Sequence, residues 1–158
     1  MFTDVIRATD GSEHADRELS RTECLELLAE TGFGRVVVTA GQAGPPMIRP
    51  VNYVFDVATQ SVAFRTAEGT KLHALVHSSQ ACFEIDALDP ETLCGWSVII
   101  VGRTEEVTVA AEVRRLECLG LVSSIATQRA HWVRIHARTV SGRRVAPGAE
   151  GPLNVVAF

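Results

Sequence analysis

Only three residues, Ala58, Thr59 and Gln60, separate the runs at 47–57 and 61–66, and that spacing restricts the fold more than any other feature of the chain. Both runs carry the Val, Phe and Tyr or Thr content of strands. A parallel return within one sheet needs a crossover of a dozen or more residues, so the second run must come back antiparallel to the first. The preceding β-branched run, 35–40, reaches the pair through a Gly/Pro loop at 41–46, which makes three successive strands in a meander. Pro50 lacks a backbone donor, and the strand holding it is expected at a sheet edge or a bulge.

The remaining elements follow from pattern. Leu19, Ser20 and Glu23 have the order of an apolar staple, an N-cap and its reciprocal carboxylate, which opens a helix that buries Cys24, Leu27 and Leu28 and ends at Gly32. Residues 81–86 alternate as a strand, and Asp89-Pro90-Glu91 breaks it. The apolar run 96–102 continues to 109, with Gly102 marking a bend or bulge in one long strand. A helix is predicted over 110–125 from the apolar spacing of Val113, Leu116, Cys118, Leu119 and Val122, and a last strand over 132–145. Two or three helices cannot supply a crossover after every strand. The chain is therefore mainly β with peripheral α, a six-stranded antiparallel barrel whose closure removes exposed edges. One domain is expected at 19–146, with a poorly ordered arm at 1–18 and a tail at 147–158.

Composition narrows the partners. The formal net charge is −4 and the basic residues are dispersed, which argues against nucleic acid. No basic and apolar leader and no membrane-length apolar window occur, so the protein is read as cytoplasmic. Cys24, Cys82, Cys94 and Cys118 show no Cys-x-x-Cys spacing and are expected as buried thiols. His73 and His77 stand at i and i+4 without a third ligand, and no metal is expected. Glu84 and Asp86 share a strand face and read as solvated carboxylates; His131 and His136 read as structural. No Ser/His/Asp or Cys/His set points to a hydrolase.

The stretch from Phe64 to Lys71 carries the chemistry. It leads from a strand, through Gly69, into a helix whose buried stripe is Leu72, Leu75 and Val76. A helix start offers unpaired N–H groups and partial positive charge to an anion, phosphate above all. Arg65 adds a planar fork of donors, Lys71 a point charge, and Thr66 and Thr70 two hydroxyls. The alternative reading of the same residues is two solvated cations flanking an ordinary turn.

Taken together, Arg49-Pro50-Val51-Asn52-Tyr53, the turn at 64–71, Gly95-Trp96-Ser97-Val98 running to Gly102, and Gly142-Arg143-Arg144 resemble the pyridoxamine 5′-phosphate oxidase-like family, in particular its nitroimidazole-resistance-related branch. The similarity covers about 20–145. It implies an FMN-binding split barrel that forms a homodimer with cofactor at the subunit interface. Arg65, Thr66, Gly69, Thr70 and Lys71 would then hold the FMN phosphate, and Arg49, Pro50, Val51 and Asn52 would run under the ring. Trp96 and Ser97 would approach ring and ribityl chain, and the strand from Trp132 would reach the partner's cofactor. Ser97, in place of a glutamine-bearing strand, and the apolar tail 153–158 separate the implied activity from oxidation of pyridoxamine phosphate. The resemblance implies an FMN-dependent oxidoreductase passing hydride from a reduced nicotinamide to a small acceptor such as a quinone or nitro compound. A deazaflavin-dependent reductase and a non-catalytic flavin- or haem-binding module are the alternatives.

Overall fold

The computed structural model describes residues 16–39, 45–69, 74–75, 80–122 and 131–146. In chain order these form β1 (Arg17–Glu18), α1 (Arg21–Glu30), β2 (Phe33–Thr39), β3 (Pro46–Asn52), β4 (Val54–Asp56), β5 (Ser61–Thr66), β6 (Ala81–Leu88), β7 (Gly95–Gly102), β8 (Thr104–Val107), α2 (Ala110–Glu117), β9 (His131–His136) and β10 (Thr139–Val145).

The three-residue link acts as its length requires: β4 and β5 pair antiparallel, Asp56 opposite Ser61. The strands make two sheets, β1-β10-β7-β6-β2-β3 and β4-β5-β9-β8. Three runs serve both sheets. β3 passes into β4 through Tyr53, β7 into β8 through Arg103, and β9 into β10 through Ala137 and Arg138. Counted as continuous runs, the six expected strands are all there, antiparallel, in a split-barrel arrangement. Pro50 stands on β3, an edge strand, where its missing N–H leaves no gap in a central ladder.

Gly102 is the bend. A Cβ there would lie 1.6 Å from the His136 carbonyl oxygen, so only a residue without a side chain lets the two crossing runs approach this closely. The core lies between the sheets, where Val36, Val62, Phe64, Phe83, Ile85, Val98, Ile100, Val133 and Ile135 are wholly buried. A second apolar cluster, Ala63, Val107, Leu116 and Trp132, packs α2 on the other face of the four-stranded sheet.

α1 opens as its sequence requires. The Ser20 hydroxyl accepts from the Glu23 amide at 3.3 Å and a Glu23 carboxylate oxygen accepts from the Ser20 amide at 2.8 Å. Its end is set by Thr31 rather than Gly32: the Thr31 hydroxyl donates to the Leu27 carbonyl at 2.7 Å. The predicted helix over 110–125 is shorter. α2 stops at Glu117, Gly120 adopts φ +73°, and Val122 is 79% exposed, because the left-handed glycine turns the chain off the helix axis before the apolar spacing is used up. Positions 123–125 lie outside the described residues. Two other expectations shift. Arg17 and Glu18, placed in the arm, pair with Arg144 and Arg143 of β10. Of the four cysteines only Cys24 is buried and Cys118 is exposed.

Candidate functional site

Side-chain alternation along β5 divides the expected anion site between two faces. Val62 and Phe64 point into the main core, whereas Ala63 joins the cluster under α2; Arg65 follows Ala63. Arg65 stands opposite Trp132 of β9, its guanidinium carbon 5.9 Å from the ring centroid, near the outer limit for attraction between a cation and an aromatic face. Arg65 Nε and Trp132 Nε1 are both buried and have no hydrogen-bond partner among the described residues, and Trp132 is only 3% exposed. Unpaired buried donors are costly. Two side by side at a strand end mark a place shaped for an acceptor.

Thr66, the last residue of β5, is buried, and its hydroxyl donates to the Ala67 carbonyl at 3.3 Å. Its cross-strand partner is His131, whose Nδ1 lies 2.7 Å from a Glu106 carboxylate oxygen. That contact fixes the ring and leaves Nε2 as its other polar atom. Gly69 has φ +145°, and a Cβ there would meet nothing within 4 Å, so the turn is open on that side. Thr70, Lys71, His73 and His77 lie outside the described residues, as does most of the expected helix; Ala74 and Leu75 are helical and buried.

The other predicted residues fall in three places. Arg49 and Pro50 are exposed, Asn52 half-buried and Val51 buried on β3, whose far edge pairs with no strand among the described elements. Trp96 enters the main core beside the cluster that holds Val51 and Phe64. Ser97, one residue on, faces the opposite side of β7 and lines an outer groove with Arg143. Trp96 and Ser97 therefore cannot line one surface.

Two residues escaped the sequence reading as a pair. Arg144 stands opposite Trp96, and Arg144 Nε and Trp96 Nε1 are also buried without partners among the described residues. Both unsatisfied pairs are an arginine facing a tryptophan across antiparallel strands that are distant in sequence. Register between such strands carries no local signal, and only the Trp and Arg residues themselves were visible.

Around this region the charges are mostly matched. Arg134, 7% exposed, donates to Glu105 at 2.5 Å and to Glu112 of α2 at 2.7 Å. Burial raises the Glu105 pKa, but hydrogen bonds from His136 and Arg134 outweigh it and the net shift is downward. Glu84 and Asp86, expected to be solvated, are part-exposed and also ion-paired with Arg35 of β2.

A family model described as pyridoxamine 5′-phosphate oxidase matches residues 20–144, which takes in α1 and every strand from β2 through most of β10. The chain belongs to the pyridoxamine 5′-phosphate oxidase-like family. An uncharacterized protein of Mycobacterium tuberculosis is 38% identical over 118 residues, covering 72% of this chain and 75% of that one. The solved structure of an FAD-binding protein from Mycobacterium smegmatis is 37% identical and superposes with a TM-score of 0.72, covering 84% of this chain and 100% of the other. An FAD- and haem-binding protein of the same organism, at 17% identity and a TM-score of 0.64 over 86% of this chain and 76% of its own, shares the fold. Among the described residues no helix is long and apolar enough to cross a membrane.

Proposed function

We propose that this chain binds a flavin nucleotide, FMN, and acts as a flavin-dependent oxidoreductase that carries hydride from a reduced nicotinamide to a small acceptor such as a quinone or nitro compound. The observation that carries the reading is the pair of buried donors at the end of β5, Arg65 Nε and Trp132 Nε1, which have no partner among the described residues. Both groups only donate, so their complement is rich in acceptors, and a phosphate oxygen satisfies a guanidinium especially well.

In this reading Arg65 and Thr66, with Thr70 and Lys71, hold the phosphate, and Gly69 keeps the turn open for it. Arg49, Pro50, Val51 and Asn52 present the outer edge of β3 to the ring, and Trp96 backs it from the core. Ser97 faces away and falls outside the constellation. The bound flavin supplies hydride acceptance and onward electron transfer; the protein residues bind it, orient it and exclude water. A homodimer with the cofactor at the subunit interface and a cytoplasmic location belong to the same reading. The FAD-binding relative at 37% identity favours a second one, FAD in place of FMN, since both carry a phosphate at the same end of the ribityl chain.

Titration of wild type and Arg65→Ala with FMN, FAD, the deazaflavin coenzyme and haemin, followed by absorbance and flavin fluorescence, tests the assignment. Loss of a charge-assisted phosphate contact is expected to weaken FMN about ten- to a hundredfold. Preference for FAD selects the second reading. Equal flavin affinity in Arg65→Ala removes the phosphate site, and absence of flavin binding removes both readings. Oxidation of reduced nicotinamide by the loaded protein, with a quinone or nitro acceptor present, tests the reaction.

A further inference from the structure

A groove of about 330 Å³ lies on the outer face of the six-stranded sheet, between β1, β7 and β10. It does not involve Arg65 or Thr66. Ile99 gives it an apolar side chain, Ser97 and Ser141 contribute hydroxyls, and Arg143 stands among them; Leu19 and Val140 border it, but their side chains pack on the core. Register places Arg143 between Ser97 on one side and Glu18 on the other. The guanidinium is already engaged by a carboxylate: Arg143 Nε and Nη2 donate to the two Asp16 oxygens at 2.8 and 2.5 Å.

That fork is the geometry in which an arginine receives a free carboxylic acid. Here the carboxylate belongs to the chain itself, one residue ahead of β1. The Arg143 and Asp16 side chains are 62% and 47% exposed, and ion pairs this open to water contribute little. Asp16 can therefore be displaced at small cost. Glu18, also lining the groove, disfavours a second negative charge, which selects a monoanion over a phosphate dianion.

We propose that this groove is a binding site for a compact monocarboxylate with an apolar body, whose carboxylate takes the position of Asp16 on Arg143 while Ile99 receives the body. Asp16 is then an internal competitor that keeps the guanidinium paired when no acid is bound. The site is independent of the flavin reading.

Benzoate titrated into the full-length ¹⁵N-labelled protein at low ionic strength tests it, with benzamide and inorganic phosphate as comparison probes. Saturable shifts are expected at the Ser97, Ser141 and Gly142 amides with benzoate. Asp16→Asn is expected to tighten benzoate about two- to fivefold by removing the competitor. Arg143→Gln is expected to weaken it about tenfold or more, with Arg143→Lys between, because lysine keeps charge but loses the fork. Both side chains are exposed, so unchanged thermal melting will accompany these effects. Shifts elsewhere, benzamide binding as well as benzoate, phosphate binding as tightly, or an Asp16→Asn variant no tighter than wild type would each overturn the proposal.

Discussion

Asp56 shows how one side chain ties a helix to a sheet. It is 2% exposed and accepts from Arg115 of α2 with both oxygens at 2.7 Å, from the Thr59 hydroxyl at 2.5 Å and from the Ala58 amide at 3.2 Å. Burial raises its pKa, but the Thr59 and Arg115 hydrogen bonds bring the net shift below the usual value. Asp56→Ala leaves Arg115 without its partner and is expected to cost about 2–3 kcal/mol, read from urea denaturation. Glu23 offers a test through pH. Arg17, then the Ser20 amide and hydroxyl, hold its carboxyl at about 2 against the usual 4.5. The folded state thus binds fewer protons than the unfolded chain, and the contribution is complete above pH 4.5 and lost as pH falls towards 2. The denaturation midpoint of Glu23→Gln is expected to fall less steeply than that of wild type across this window.

At the scale of elements, the bends matter more than the strands. Gly102 lets the run of β7 and β8 cross the run of β9 and β10 with no side chain between them. Gly102→Ala would force the added carbon against the His136 carbonyl, 1.6 Å away, and is expected to destabilise by at least about 3 kcal/mol, the upper end for overpacking. Equal melting of this variant and wild type would show that the crossing can relax. α1, by contrast, is written locally. Its capping box, buried face and start were all legible, because capping depends on residues three apart. The end of α2 was misjudged for the same reason: apolar spacing persists past Gly120, and the turn that glycine makes outweighs periodicity.

For the whole molecule, the proposed placement of the cofactor between two subunits makes a quantitative demand. If both subunits hold each flavin, retention depends on protein concentration by mass action. Serial dilution of the loaded protein is expected to release flavin over the same range in which sedimentation detects monomer. Release that ignores dilution would place the whole site within one chain. Ile48 is 55% exposed on the outer sheet face, the kind of apolar surface a second subunit would cover.

The sequence by itself determined six of the strand runs, their antiparallel sense, the exclusion of Pro50 from a regular central strand, the cap of α1, the irregularity at Gly102 and the motifs that mark the family. Each rests on neighbours close along the chain: a link too short for a crossover, a missing N–H, a residue without Cβ. Only the tertiary structure decided that Arg65 faces Trp132, that Trp96 and Arg144 repeat that arrangement, that Ser97 turns to the outer groove, and that Asp16 occupies Arg143. Those relations depend on the register of strands separated by tens of residues, which is set by how the two sheets share their bent runs and bury one core, and no short stretch of sequence encodes that choice.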